Sequence, residues 1–355
     1  MSSIHTVRWV HEMAHHGYNI HLITMHSPTP HNLLDKQITL HRLPFAAPHG
    51  YVLNTLSLRA ILRRIKPAFL HTHYAGGYGT LSRRTCFHPT LLSFWGSDVL
   101  LVPSHSKWKN WMIRANLLAA DYLASTSVAM KVQTERLVKP RRPIALTPFG
   151  VDGTTYYPRP DRESSTVCTI GTVKSLESVY GIEYLLRAFA IVVKRNPNRP
   201  LRLLIVGGGS LRTELEQLAV ELRVAHLTDF TGKVPACAVP DYLRRLSVYV
   251  CLSLSESFGV SVLEASACGL PVVVSDVGGL PEVVKDGVTG FIIPKQNAEA
   301  AAGAIERLIT DPQLAADMGC AGRAFVMEHY EQKYTGDRMA RLYCDILREE
   351  RVGSA

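Results

Sequence analysis

Two carboxylates eight positions apart, Glu256 and Glu264, mark the stretch of this chain best equipped for chemistry, residues 253–294. Glu256 falls in a Ser/Gly-rich turn after the apolar run 248–254, and Glu264 sits inside a small-residue helix pattern. Helix N-termini present unpaired N–H groups at the positive end of the dipole, so the turn Phe258-Gly259-Val260 is suited to hold a diphosphate. A carboxylate accepts two hydrogen bonds at once, which matches the vicinal hydroxyls of a sugar or a ribose. An isolated pair of this kind is better explained by two solvated carboxylates on a helix surface. A strand, a turn, a helix start and two carboxylates together suit a nucleotide sugar.

The same stretch resembles the donor site of family 4 retaining glycosyltransferases, whose Glu-x7-Glu signature is here Glu256-SFGVSVL-Glu264. Gly259, Ala265, Gly269, Pro271, Val272, Gly278, Gly279, Pro281, Glu282 and Gly290 also fall on the family pattern. The resemblance implies that Glu256 faces the donor sugar and Glu264 holds the ribose. It implies further donor contacts from Ser257, Phe258, Gly259, Val260, Gly278 and Gly279, and from Gly208 and Val234. Glu256 and Glu264 are then ligands and not a hydrolytic acid/base pair, with charge stabilisation at the leaving diphosphate carrying the rate.

Outside that stretch the chain departs from the family. Many relatives carry Gly-Arg-Leu and then Lys-Gly, whose cations clamp the diphosphate; here Gly171-Thr172-Val173-Lys174 and Tyr180-Gly181 stand instead. Lys174 is the nearest remaining cation, and an ammonium binds phosphate as a point charge without the guanidinium fork. A solvated loop lysine is the competing explanation. The turn Val206-Gly207-Gly208-Gly209-Ser210 lacks the third glycine of a dinucleotide fingerprint, since Arg212 occupies that place. Phe94-Trp95-Gly96-Ser97-Asp98 replaces the family's His-Gly-x-Asp, so Trp95 stands for a histidine beside the transferred sugar. Asp98 is a candidate acceptor contact or a helix cap, and His73, in His71-Thr72-His73-Tyr74, a candidate cleft residue or a packed one. No nucleophile elbow supports a Ser/His/Asp triad. His11, His15 and His16 share a helix face without a carboxylate to complete a metal site.

Length and charge constrain the whole. At 355 residues the chain is long enough for two cores. Residues 1–160 carry 18 Lys/Arg against 6 Asp/Glu, a balance of +12, while 161–355 carry 21 against 24, a balance of −3. Thirteen of the 15 histidines lie in the basic half, which mild acid is expected to make more basic. An anionic membrane surface or a phospholipid-linked acceptor fits that asymmetry, as does a solvated basic face; nucleic acid is disfavoured, because neither zinc-ligand spacing nor an RNA-binding aromatic motif is present. Seven scattered cysteines suggest buried thiols in a reducing compartment. With no apolar run of eighteen and no signal-like start, a cytoplasmic protein, at most peripheral at the inner face of a membrane, is expected.

Apolar runs alternate with amphipathic helix patterns throughout, the mark of parallel α/β layers. Strands are expected at 20–24, 38–43, 69–72, 90–93, 122–125 and 144–147, then at 167–172, 201–206, 227–231, 248–254, 271–275 and 290–293. A Pro/Gly-rich stretch, 147–160, separates the two series. Domains are expected at 1–150, acceptor side, and 151–333, nucleotide-sugar side, with 334–355 a terminal helix returning to the first. The resemblance implies the GT-B fold, two Rossmann-like domains facing a cleft, and a metal-independent hexosyltransferase needing no cofactor, with a nucleotide sugar as donor and a lipid-linked or cell-surface glycan as acceptor. An epimerase of the same fold and a non-catalytic nucleotide-sugar-binding scaffold are the rivals. Family members usually begin with an apolar strand ahead of the helix pattern 3–14, and this chain starts at the turn, so the first sheet is expected to lack its first strand and to carry a gap.

Overall fold

Strands buried on both faces are short continuous apolar runs, because neither face tolerates a polar side chain. All twelve expected runs form strands in the computed structural model, which describes residues 4–26, 38–100, 106–159 and 167–353. The opening turn at 1–3 and Pro160 of the linker lie outside the described residues. Two units emerge, residues 1–149 with 333–355, and residues 150–332.

The first unit holds β1 (His21–Thr24), β2 (Thr39–Arg42), β3 (Leu70–His73), β4 (Thr90–Phe94), β5 (Tyr122–Ser125) and β6 (Ala145–Leu146). Its helices include α1 (Ile4–His15), α2 (Thr55–Ile65), α3 (Gly77–Thr85), α4 (Lys107–Ala119) and α5 (Val128–Leu137). Leu92 and Phe94 of β4 pack with Ile113 and Leu117 of α4 and Met130 of α5. The terminal helix, Gln332–Gly353, is tied to this unit by side chains distant in sequence. Tyr18 donates to the carbonyl of Ala340 at 3.2 Å, the Tyr343 hydroxyl meets His71 Nδ1 at 2.6 Å, and Tyr122 donates to Glu349 at 2.9 Å.

These six parallel strands do not make one sheet. β1 and β2 form a pair, β3-β4-β5-β6 form a second sheet, and a cavity of about 710 Å³ lies between them, lined by every residue of β1 and of β3. Among the described residues the first sheet is therefore interrupted, as expected.

The second unit holds one parallel sheet in the order β12-β11-β10-β7-β8-β9. Its strands are β7 (Cys168–Val173), β8 (Leu201–Val206), β9 (Thr228–Gly232), β10 (Val248–Cys251), β11 (Val272–Ser275) and β12 (Gly290–Ile293). Helices α6 (Ile182–Arg195), α7 (Arg212–Glu221), α8 (Val260–Ala267), α9 (Ala298–Thr310) and α10 (Pro312–His329) connect and cover them. Ile170, Leu203, Ile205, Val250 and Val273 meet Leu186 and Phe189 of α6 in one core, each fully buried. Each such side chain stabilises the unit by about 1.5–3 kcal/mol. From β7 the chain steps outward to β8 and β9, then returns to the other side of β7 as β10, β11 and β12. The direction of winding reverses between β7 and β10, and at such a switch point the loops diverge and leave a crevice at the carboxyl ends of the strands.

One expectation needs correction and another is narrowed. Of the seven cysteines, only Cys251 and Cys268 are buried, whereas Cys86, Cys237, Cys320 and Cys344 are exposed, because they lie in a helix cap, a short turn and two helix surfaces. Mild acid also does not charge every histidine of the basic half. Burial pushes His5 down to about 4 and His73 to about 3, and burial with the neighbouring His73 lowers His71 far below the usual value. These three stay neutral in the fold because their rings are enclosed by aromatic and apolar neighbours.

Candidate functional site

Lys174 directly follows β7, and Glu256 lies in the loop after β10, so the two flank the switch point of the second sheet. Lys174 Nζ donates to Glu256 Oε2 at 2.5 Å, and each side chain is only about a tenth exposed, 10% and 11%. Burial opposes the charge on Lys174, but the Glu256 carboxylate, ahead of Cys251 and Tyr249, holds its ammonium well above the ordinary lysine value. Ser253 Oγ donates to the same Glu256 oxygen at 3.4 Å, and Lys174 Nζ stands 5.0 Å from the Tyr180 ring centroid.

Glycines let the loops around this pair touch backbone to backbone. Gly278 adopts φ +53°, and a Cβ there would stand 1.8 Å from the Glu256 carbonyl oxygen, which also accepts from the Gly279 N–H at 3.1 Å. On the other flank a Cβ at Gly207 would stand 1.8 Å from the Lys174 carbonyl. The carbonyls of both members of the pair are thus clamped by glycine turns from neighbouring strands. Behind them, Gly259 at φ +107° turns the chain into α8; its carbonyl accepts from Val262 and Leu263, which leaves the Val260 and Ser261 amides as the unpaired donors of the helix start. Glu264 follows one turn further along α8, half-buried.

Of the residues singled out from sequence, the second sheet brings Lys174, Glu256, Ser257, Gly259, Val260, Glu264, Gly278 and Gly279 to the carboxyl ends of β7, β10 and β11. Phe258 contributes backbone there, while its ring is buried and meets Tyr330 edge-on at 5.6 Å. Gly208 and Val234 lie after β8 and β9, on the far side of Lys174. Tyr180, Ser253 and Gly207 were not singled out as site residues; Tyr180 stands where relatives carry a clamping lysine, and folding of the intervening loop brings its ring to Lys174.

The first-unit pair has a different character. Asp98 is fully buried, and its oxygens accept backbone N–H groups from Ala75 at 2.8 Å, Gly96 at 2.9 Å and Trp95 at 3.3 Å. Burial raises its carboxyl and those three bonds oppose the shift. Asp98 thereby fixes the two loops that follow β3 and β4. The His73 ring meets Trp95 at a tilt of 42°, centroids 4.6 Å apart, and its Nδ1 is buried without a hydrogen-bond partner.

The geometry has close parallels. Residues 159–325 match the family described as Glycosyl transferases group 1, and residues 1–127 match Glycosyl transferase 4-like. Among solved structures, sucrose-phosphate synthase from Thermosynechococcus elongatus aligns with TM-score 0.84 at 23% identity, over 98% of this chain and 93% of that one. Anabaena HepE, solved with UDP and glucose, aligns with TM-score 0.83 at 16% identity, over 97% of each chain. The fold is that of the GT-B glycosyltransferases, two parallel α/β units. N-acetyl-alpha-D-glucosaminyl L-malate synthase of Bacillus anthracis is 26% identical over 96% of this chain and 93% of its own length. This chain belongs to the group 1 glycosyltransferases, and it is a glycosyltransferase enzyme.

Proposed function

We propose that the protein is a retaining glycosyltransferase that moves a sugar from a nucleoside diphosphate to a hydroxyl of a lipid-linked or cell-surface glycan precursor, without a metal or other cofactor. The buried Lys174–Glu256 pair at the switch point carries this reading. In it the diphosphate lies over the first-turn amides of α8 and shares the Lys174 ammonium with Glu256, whose carboxylate faces the sugar. Glu264 takes the ribose hydroxyls. Charge building on the leaving diphosphate then meets fixed donors in a site shielded from water, which is where such stabilisation is strongest.

A screen of UDP-, GDP- and ADP-sugars by thermal unfolding tests the donor assignment. The correct donor at about 100 times its dissociation constant adds roughly 2.7 kcal/mol of stability, and Glu264→Ala should abolish most of that gain. A screen in which no nucleotide sugar stabilises the protein, or in which Glu264→Ala keeps the full gain, rejects the assignment. Conversion of the donor to a new sugar nucleotide without acceptor would select an epimerase, and binding without turnover a scaffold.

The acceptor side of the proposal rests on the surface of α4. Trp108 and Trp111 are 66% and 60% exposed there, beside exposed Lys107, Lys109 and Arg114. Aromatic rings with flanking cations suit the headgroup region of an anionic bilayer. Among the described residues no helix is long and apolar enough to cross a membrane. Trp108→Ser with Trp111→Ser in the full chain should weaken binding to phosphatidylserine vesicles by about tenfold or more. Unchanged vesicle binding by this variant would remove α4 as the membrane contact.

A further inference from the structure

Strand β10 of the second unit has two unlike faces. Val248 and Val250, with Leu252 just beyond the strand, belong to the apolar core under α6. Side chains alternate along a strand, so Tyr249, Cys251 and Ser253 stand on the opposite face. All three are fully buried, and each carries a polar atom on a strand whose two covered faces are both expected to be apolar. The Tyr249 hydroxyl keeps its proton there, because burial holds its pKa far above the ordinary tyrosine value; burial raises the Cys251 thiol as well, against the pull of Lys174.

The hydroxyl of Tyr249 reaches across to β7. Successive residues of a strand present their peptide groups to opposite edges: Thr169 accepts from Ser247 on the β10 side at 2.7 Å, while Lys174 gives its N–H to Val206 of β8 at 3.0 Å. By this alternation the Val173 carbonyl faces β10. The two strands have separated by that point, since β10 is in register with β7 at Ile170 and Gly171, whereas β8 stays paired as far as Val173. Their divergence opens the crevice at the switch point. Tyr249 bridges it, donating to the Val173 carbonyl at 3.4 Å where a ladder bond would otherwise fall. On the same face Cys251 Sγ lies 3.4 Å from Ser253 Oγ, the hydroxyl that donates to Glu256. One buried face therefore serves both members of the Lys174–Glu256 pair, the first through its backbone and the second through its carboxylate.

We propose that Tyr249 is a positioning residue for the donor diphosphate: its hydroxyl ties the last residue of β7 to β10 and so fixes where the Lys174 ammonium stands. The assignment rests on the reading of Lys174 as the cation of that diphosphate. An ammonium on a flexible stem binds phosphate as a point charge, without the fork that pre-orients a guanidinium, so its placement depends on the backbone that carries it. At 3.4 Å the bond is a long one, and its loss should weaken binding several-fold without abolishing it.

A double-mutant cycle in the full chain tests this, with inorganic pyrophosphate as the probe and calorimetric titration as the readout. Tyr249→Phe keeps the ring and removes only the hydroxyl; it should weaken pyrophosphate binding about three- to tenfold, the range that one hydrogen bond commands. Lys174→Met should weaken it more. In the Lys174→Met background, Tyr249→Phe should change the affinity by less than about twofold, because the group that it places is gone. Val250→Ala, on the apolar face of the same strand, controls for stability: it should lower the thermal midpoint further than Tyr249→Phe does and leave pyrophosphate affinity unchanged. Should Tyr249→Phe fail to fold, Tyr249→Met, an adaptable side chain without a hydroxyl, runs the same cycle. Unaltered affinity in the Tyr249 variant, a loss that adds in full to that of Lys174→Met, or an equal loss in Val250→Ala would overturn the role of Tyr249. If Lys174→Met binds pyrophosphate as tightly as the unmodified protein, the donor-site reading fails, and the role of Tyr249 fails with it.

Discussion

Glu256→Ala is expected to reduce sugar transfer by at least about 10²–10³-fold, the usual consequence of removing a fixed charge from a reacting centre. The buried ion pair adds a second consequence that a solvent-exposed carboxylate would not have. With Glu256 gone, the Lys174 ammonium stays in a site only a tenth exposed without its strongest partner. Leaving one member of a buried pair uncompensated costs about 3–5 kcal/mol. Glu256→Ala should therefore lower the unfolding midpoint as well as the rate, and nucleotide affinity should change too, since Lys174 is free to reorient. A double substitution, Glu256→Gln with Lys174→Met, removes the stranded charge; it should recover most of the stability and none of the transfer. Transfer by Glu256→Ala within about twofold of the unmodified protein would sink the donor-site reading. A double variant no more stable than Glu256→Ala would show that the pair is not what couples the two effects.

That coupling shows which kinds of information a sequence holds. The central strands were legible because a strand covered on both faces is largely apolar, as at Leu201–Val206, where Arg202 alone is exposed, and at Gly290–Ile293, and in both the boundaries fall as expected. Helices with a clear stripe, such as Ala298–Thr310, were legible for the same reason. α3 and α10 were not. Gly77 and Gly79 open α3, and α10 carries Gly319 and Gly322, residues that weaken a helix in isolation. Their use emerges only in the packed molecule: a Cβ at Gly319 would stand 2.2 Å from the Gly269 carbonyl, so close approach to the turn after α8 outweighs propensity there. The site divides in the same way. Residues within one loop, such as Glu256 and Gly259, share a motif, but the contact between Lys174 and Glu256 spans 82 positions and is made by strand order alone. The separation of β1 and β2 from β3–β6 rests on pairings between neighbouring strands that no single run of residues records.

Gly278→Ala is expected to damage donor binding without touching any charged group. Its φ of +53° disfavours a side chain by about 1–2 kcal/mol, and the added methyl would stand 1.8 Å from the Glu256 carbonyl, a backbone atom that yields only if the whole loop moves. Gly287→Ala separates these two effects. Gly287 has φ +72° and nothing within 4 Å of its missing Cβ, so alanine there meets the same conformational strain with no collision. Gly287→Ala should lower stability by about 1–2 kcal/mol and leave donor affinity alone. Gly278→Ala should lose more than that and weaken donor binding by about tenfold or more, because a shift of about 1 Å in a positioning loop disturbs every group it carries. Isothermal titration with the stabilising nucleotide sugar distinguishes the cases. Equal donor affinity in the two variants would mean that the Gly278 turn does not hold Glu256 in place, and the site would then have to be organised from the β7 side, through Gly207 and the carbonyl of Lys174.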